Sequence, residues 1–350
     1  MTYGKYDAAV NEALERLVHA GFFFGSRSEF RGFAMHAPMG AEALATLGFC
    51  DQVPGWVDWY ATVRAISSVP EPVSAIDPDH DADWQAALGQ VKRLADWAAL
   101  FRHEIDDAGW RMALATWWPR LMPGMLAGLT HGLIRTAHAV RSVASTETPS
   151  TLQLHELANG LAFWAGMYQP PTGALARGAR VIGTVKTIGR QPTSTLFAAA
   201  DARLSESVDA ALMELSAACA GRYAVLSPGG NPVAPIHTMT APAALRMTLP
   251  HLPPELAQPS YEAVREVCGT LLRMFASRTG RDPGTPPIDG DAPAVQTRIV
   301  HEAVELRDEH AIKISEAATR EYAANPDPRY FAAAHHALEL LRPVSRSNAG

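Results

Sequence analysis

The sequence predicts an all-α fold: one large multi-helix domain over residues 1–350, with short irregular loops and at most a minor strand pair. The main observation behind this prediction is that apolar residues recur at helical spacing along most of the chain. Strand-like alternation is confined to the short stretch RVIGTVKTI, residues 180–188. Segments rich in proline and glycine separate the periodic stretches, and they are too short to be domain linkers.

The individual helices follow from periodicity and from their end signals. Residues 7–20 place their apolar side chains on one stripe and form the first predicted helix. The second follows His36, because Pro38 suits a first helical turn and Gly48 suits a left-handed C-terminal cap. Periodicity predicts further helices over residues 54–64, 83–104, 108–117, 120–144, 151–168, 202–220, 241–249, 258–278, 293–324 and 328–342. Loops are predicted at residues 67–81, 169–178, 227–235 and 280–293.

The composition excludes several classes of protein. Hydrophobic residues make up 47% of the chain and charged residues 19%, the balance of a globular protein with a substantial core. The net charge of -6 argues against a nucleic-acid partner, which favours a basic surface. No apolar run reaches the roughly 18 residues of a transmembrane span, so no membrane association is expected. The N-terminal segment lacks a signal-peptide core, and Cys50, Cys219 and Cys268 have no CxxC spacing, so a cytoplasmic location is expected.

Common cofactor and catalytic motifs are missing from the sequence. No GxGxxG follows a predicted strand, and no GxxxxGK[ST] loop is present, so no cofactor-binding residues are predicted. GxSxG and HExxH are absent as well, which disfavours a serine hydrolase or a metalloprotease. Use of NADPH stays open, although no motif for binding it is present.

Four histidines lie in unusually apolar surroundings. His131 and His138 occur in HGLIRTAHAVR, seven residues apart and therefore on one face of a predicted helix. His36 and His237 each precede a predicted helix, among Ala, Met, Ile and Pro. A buried imidazole needs a polar partner, so each is either a hydrogen-bonded core residue or a ligand. Because two imidazoles on one inward face can reach a common point, the pair favours a shared site.

Arg135 lies between the paired histidines, one turn after His131. Two interpretations are open for this residue. Its guanidinium either orients an anionic phenolate or carboxylate, or forms a buried salt bridge with Glu42 or Glu156. The first interpretation makes Arg135 a candidate catalytic residue beside the histidines.

Lys313 is unusual because the chain favours arginine: only Lys5, Lys92, Lys186 and Lys313 are lysines among 30 basic residues. It follows His310 by three positions, so the two share a helix face. A solvated cation beside neighbouring glutamates is the simpler interpretation. The alternative is that the chemistry of a site requires a lysine amine at this position.

Several motifs together resemble the questin oxidase-like family, from about residue 25 to residue 340. In this chain, HAPMGAEAL followed by VPGWVDWY resembles the N-terminal signature of the family, and HGLIRTAHAVR resembles its central helix. Three later parts of the family are also resembled by stretches of this chain. The helix after the central helix resembles ELANGLAFWAGMY, the later histidine motif resembles IHTMTAPAALRMTLP, and the C-terminal part resembles DEHAIKISEAA with NPDPRYFAAA.

The resemblance implies oxidative ring opening of polycyclic aromatic polyketides such as anthraquinones, by dioxygenase or Baeyer–Villiger-type chemistry. It also implies a non-haem iron(II) centre held by four histidines and a carboxylated lysine. Matched motif by motif, these metal ligands are His36, His131, His138, His237 and Lys313. A carbamate on Lys313 would give the iron an anionic oxygen, and arginine cannot form that group under ordinary conditions.

The chain departs from the family pattern at Met35 and Ala37, where Asn and Gly are usual, and both positions flank His36. These departures affect the expected substrate more than the expected metal. The sequence thus predicts an oxygenase that binds a small aromatic molecule and O2. Two alternatives are an oxygenase without metal, in which histidines act as general bases, and a helical protein that binds an aromatic ligand without turnover. The oligomeric state is not predicted.

Overall fold

The structure is a computed structural model that describes residues 3–25, 32–170, 196–226, 232–275 and 290–342. The described chain is mainly helical, which confirms the predicted fold class. The stretch 180–188, predicted as strand-like, lies outside the described residues. None of the described helices is both long and apolar enough to cross a bilayer.

Fifteen α-helices make up most of the described chain. Their bounds are α1 Tyr3–Arg16, α2 Ala37–Thr46, α3 Val53–Val63, α4 Asp81–Ala87, α5 Leu94–Ala108, α6 Trp110–Leu121, α7 His131–Ala144, α8 Thr151–Gly166, α9 Ala198–Ala202, α10 Val208–Tyr223, α11 Val233–Thr248, α12 Ala257–Phe275, α13 Ala292–Leu306, α14 Glu309–Ala324 and α15 Pro328–Leu341. The predicted helix-end residues have the expected positions: Pro38 lies in the first turn of α2, and Gly48, just after α2, has a left-handed backbone with a φ of +96°.

A small antiparallel sheet accompanies the helices in the described chain. It consists of β1 (Ala20–Phe24), β2 (Phe33–Ala34) and β3 (Ile66–Ser68), in the order β2-β1-β3. The sheet has one strand more than the expected pair, since strands of two to five residues are too short for a periodic signal. Strand β2 ends two residues before His36, and the Phe24 ring packs 5.6 Å from the His36 ring.

Three long helices predicted from periodicity are interrupted in the structure, and two of the interruptions lie beside a histidine. The predicted helix 120–144 becomes a regular helix only at His131, after Leu129 and Thr130 adopt positive φ angles of 60° and 69°. The predicted helix 293–324 breaks at Arg307, whose φ is +58°, and Asp308 then caps α14 by accepting from two backbone N–H groups. Both interruptions place a histidine in the first turn of a new helix.

The core consists of three clusters of buried side chains. The largest lies between α5, α6, α7 and α8, where the Trp117 ring contacts the Trp97 and Phe101 rings edge-on at 5.6 and 5.2 Å. A second cluster joins α10 and α11 to α13, α14 and α15, and a third joins α1, α2 and α3. Helices α7 and α8 approach closely at glycines: a Cβ on Gly160 would lie 3.0 Å from the Cα of Thr136.

Gly132→Ala tests this close packing. A Cβ at Gly132 would lie 2.8 Å from the Cα of Trp164, which is backbone and cannot move aside easily. We expect a loss of about 1–3 kcal/mol in the free energy of unfolding, measured by urea denaturation. Gly55→Ala is the matched control, because a Cβ there meets nothing within 4 Å and a helical alanine is preferred. Equal stability of the two variants would contradict the close contact between α7 and α8.

Candidate metal centre

Four buried histidines meet at the centre of the molecule. They are His36, His131, His237 and His310. The His131 ring lies 4.5 Å from the His36 ring and 4.3 Å from the His237 ring, and the His310 ring lies 4.5 Å from the His36 ring. One nitrogen from each of His36, His131 and His310 lies within 4.8 Å of the other two. The structure therefore brings together three of the histidines predicted from the sequence, and adds His310.

Each of these histidines lies at or near the N-terminus of a helix. His36 directly precedes α2, His131 is the first residue of α7, His310 is the second residue of α14, and His237 is the fifth residue of α11. The N-terminal end of a helix carries a partial positive charge, which disfavours a protonated imidazole. Four such ends around one point favour neutral rings and an anionic group among them.

Three of the four imidazoles have an oxygen near their Nδ1 atom. His131 Nδ1 is hydrogen-bonded to the Gly128 carbonyl, which must accept, so Nε2 of His131 carries the lone pair when the ring is neutral. Nδ1 of His237 lies 3.4 Å from the Thr130 hydroxyl, and Nδ1 of His310 lies 3.7 Å from the Asp308 carboxylate. Oxygens in this position orient the ring and fix the tautomer of a histidine that binds a metal through Nε2.

The remaining ring nitrogens are poorly satisfied by protein groups. Nε2 of His131 and Nε2 of His36 lie 2.7 Å apart, so in the metal-free protein one of them must donate to the other. Among the described residues, His36 Nδ1, His237 Nε2 and His310 Nε2 are buried without a hydrogen-bond partner. Several unpaired imidazole nitrogens in one buried cluster are costly, and a bound metal ion would remove that cost.

The electrostatics keep three of these rings neutral. Burial lowers the pKa of His36, His131 and His237 well below the usual value of 6.5, and the charge of the nearby Lys313 lowers each of these pKa values further. A histidine must be neutral to donate its lone pair to a metal. These three rings are therefore in the ligand form at neutral pH.

Lys313 is buried beside the cluster, as the ligand prediction requires, with only 4% of its surface exposed. The interpretation as a solvated helix cation is therefore wrong. Burial lowers the pKa of Lys313 from 10.5 to about 8, although Glu309 and Asp308 favour its charged form. Glu309 is itself held by Arg64, at 2.9 and 3.1 Å. A buried amine with a lowered pKa has the neutral form that carbamate formation needs.

His138 does not join the cluster, which corrects the ligand set drawn from the sequence. Its Nδ1 atom lies 2.6 Å from Oε2 of Glu42, and Arg141 binds the same carboxylate at 2.5 and 2.7 Å. Two helical turns separate the Cα atoms of His131 and His138 by roughly 10 Å along the axis. Donors to one metal ion lie about 2.1 Å from it, so sharing a helix face is not enough.

The carboxylates of Glu42 and Glu316, which lie near His138, are expected to make the folded protein less stable at low pH. Burial opposes ionisation of Glu316, but Arg141 and Arg320 lower its pKa from 4.5 to about 2, and Glu42 is held low in the same way by Arg141 and His138. A lowered folded-state pKa gives stability that is present above pH 4.5 and is lost as the pH falls towards 2. Near neutral pH, Glu316→Gln should have a lower free energy of unfolding in urea than the wild type. As the pH falls through this window, the difference should shrink by up to about 1.4 kcal/mol per pH unit. A difference that stays constant with pH would contradict the ionised Glu316.

Arg135 forms the buried salt bridge that was one of its two interpretations. Its Nε and Nη2 atoms lie 2.6 and 2.8 Å from the carboxylate of Glu156, and its guanidinium packs 5.6 Å from the centre of the Phe22 ring. Nη1 of Arg135 has no partner among the described residues. Two of its three nitrogens are thus engaged, and its role with a substrate anion stays a prediction.

A cleft of about 330 Å³ lies beside this ion pair. Met35 and Pro38, which flank His36 in sequence, form part of its wall, and Arg135 and Glu156 form another part. Arg102 also lines the cleft, and burial lowers its pKa. The cleft therefore combines apolar and cationic surface next to the segment that carries His36.

His310 is the site residue that the sequence analysis missed. Its signal was present in DEH, where Asp308 is a typical N-cap and the histidine follows in the first turn. Continuous apolar periodicity across residues 293–324 masked that helix start. His310 also precedes Lys313 by three residues, a spacing that places both side chains on one helix face.

No family model and no curated protein matches this chain. Imidazole nitrogens suit iron, zinc, copper and nickel, whereas magnesium and calcium require oxygen ligands. Four buried imidazoles with unpaired or mutually opposed nitrogens fit a transition-metal ion.

Proposed function

We propose that the protein is a non-haem iron oxygenase whose iron(II) is held by His36, His131, His237 and His310. The observation that carries this proposal is the buried cluster of four imidazoles, in which nitrogens are unpartnered or oppose one another. Iron is proposed among the metals that imidazole suits because the sequence motifs resemble the questin oxidase-like family. His310 takes the place that the sequence analysis gave to His138.

Lys313 is proposed as the fifth ligand in its carbamate form. A protonated lysine beside a divalent cation is repelled, so Lys313 must be neutral or anionic when metal is bound. The neutral Nζ atom bonds to the carbon of CO2 and loses one proton, which leaves a carbamate with a negative oxygen. That oxygen would offset the positive charge of the metal and of the four helix ends.

The proposed substrate is an electron-rich polycyclic phenol or quinone, such as a hydroxylated anthraquinone. Iron(II) in such a centre supplies the one-electron chemistry that lets dioxygen react with an aromatic ring. The apolar wall of the cleft near Phe22 and Met35 would bind the rings, and Arg102 would attract an ionised phenol. Burial of the histidines at 1–6% exposure excludes water from the reaction.

The Arg135–Glu156 ion pair is proposed to fix this cleft rather than to react. The pair joins α7 to α8, and both residues line the cleft. Because a bidentate pair holds its geometry, the position of the cleft wall relative to His131 is maintained. The reaction class is oxidative ring cleavage or lactone insertion, in a cytoplasmic protein.

The direct test is oxygen uptake by iron-loaded protein with hydroxylated anthraquinones, under conditions without NADPH. We expect uptake that depends on both iron and the aromatic compound and that yields a ring-opened or lactone product. Uptake that survives complete removal of metal would favour the metal-free oxygenase. Tight binding of the aromatic compound without uptake would favour a ligand-binding protein. A requirement for NADPH would indicate a monooxygenase within the same proposal.

A further inference from the structure

A continuous chain of ion pairs crosses the helices that carry the four histidines. Glu42 of α2 binds Arg141 of α7 at 2.5 and 2.7 Å, and Arg141 binds Glu316 of α14 at 2.5 Å. Both carboxylates are buried, with 2% of each residue exposed. Arg141 is therefore a single side chain that joins three helices.

The chain of ion pairs continues to the fourth helix. Arg320 binds Glu316 at 3.0 Å and Glu321 at 2.5 Å, all three residues being on α14. Glu321 binds Arg246 of α11 at 2.5 Å, and Arg246 also binds Asp209 of α10 at 2.7 Å. Arg320 further donates to the backbone carbonyl of Ala243 at 3.1 Å, so α14 and α11 are joined twice.

Each of the four helices thus contributes one histidine and, further along, at least one member of the ion-pair chain. The pairs are His36 with Glu42, His131 with Arg141, His237 with Arg246, and His310 with Glu316. All four helices run from the histidines towards the ion pairs, and the two layers are separated by six to ten residues in each helix. At 1.5 Å per residue, this is roughly 9–15 Å along the helix axes.

We propose that Arg141 is a positioning residue of the metal centre, which it does not touch. By binding Glu42 and Glu316 together, it fixes the register of α2 and α14 against α7, and so the places of His36, His310 and His131. Buried ion pairs add little stability compared with apolar packing, so a geometric role accounts better for this arrangement. The inference rests on the proposed function for the identity of the centre.

Arg141→Lys tests the proposal, because lysine keeps the charge but cannot reach two carboxylates with a planar fork. Arg265→Lys is the matched control. Arg265 holds Asp201 in a similar two-bond pair at 2.5 and 2.6 Å, and both arginine side chains are 19% exposed. This pair joins α12 to α9, and neither of these helices carries a histidine of the cluster. Affinity for Co²⁺, followed by its visible absorption, is measured for both variants and the wild type.

We expect Arg141→Lys to bind Co²⁺ about 10–100-fold more weakly than the wild type, with an altered absorption spectrum, and Arg265→Lys to bind as the wild type does. Histidine ring ¹⁵N signals, recorded without metal, should shift in Arg141→Lys at His36, His131 and His310 and stay unchanged in Arg265→Lys. Unchanged ring signals and affinity in Arg141→Lys would overturn the proposal. Absence of Co²⁺ binding by the wild type would instead overturn the metal centre, and the ring signals would still decide the positioning role.

Discussion

Replacing His310 with asparagine is expected to weaken iron(II) binding by at least about 100-fold, whereas the same change at His138 is expected to leave it near the wild-type value. Asparagine keeps an amide nitrogen close to the position of Nδ1 and removes Nε2. In His310→Asn the unpartnered Nε2 beside the His36 ring is lost. In His138→Asn the hydrogen bond to Glu42 can be retained, so the ion-pair chain is preserved. The measurement is anaerobic titration of the metal-free variants.

The two histidines make this comparison well matched. Both are buried, with exposed fractions of 6% for His310 and 5% for His138, and both lie beside a carboxylate. Urea unfolding of each variant checks that the fold is kept. Loss of iron binding in His138→Asn, with binding retained in His310→Asn, would restore the ligand set drawn from the sequence and contradict the one drawn from the structure.

The wild type is expected to bind metal more tightly when bicarbonate is present, and Lys313→Met is expected to abolish this dependence. The thioether fills the same space without an amine, so neither the carbamate nor the buried cation can form. Oxygen uptake by the variant should fall to the background rate of the metal-free protein. Growth of the wild type in ¹³C-labelled bicarbonate should give a carbamate carbon signal that the variant lacks.

Lys313→Arg is the control for charge in this experiment. Arginine keeps the cation in the buried site but cannot form a carbamate, so it should bind metal no better than the methionine variant. Metal binding in Lys313→Arg at the wild-type level, independent of bicarbonate, would show that the lysine acts only as a buried cation.

Much of the fold was predictable because its helices carry clear apolar periodicity. The helix predicted over residues 54–64 is observed as Val53–Val63, and the one predicted over 328–342 as Pro328–Leu341. The predicted helix 83–104 is divided in the structure into α4 and α5. Short strands were missed because a strand such as AGFFF lacks room for alternation to become visible.

The candidate site was predictable where polar residues stand out against apolar neighbours. His36, His131 and His237 were chosen for that reason, and the structure brings them together. His138 was chosen on the same grounds, but its partner is Glu42, which is 96 residues away in sequence and close in space. A buried imidazole next to a buried carboxylate has the same sequence context as a metal ligand, so the sequence cannot separate the two.

His310 was missed because its neighbours in the sequence are charged, so it does not stand out as the other histidines do. It lies between charged residues in RDEHAIK, which suggested a helix surface, yet the break at Arg307 turns this segment inward. The left-handed backbone at Arg307 has no local sequence signal, since glycine or asparagine is the usual residue there. The N-cap residue Asp308 is a local signal of this helix start, but the continuous apolar pattern on both sides hides it.

Anaerobic titration of the metal-free wild-type protein with iron(II), with bound iron counted per chain, tests the central claim most directly. The four-histidine centre predicts saturation at one iron per chain, and X-ray absorption at the iron edge should show several imidazole nitrogens. Failure to retain iron or any other transition metal at a near-stoichiometric level, in protein whose histidine cluster is intact, would contradict the account.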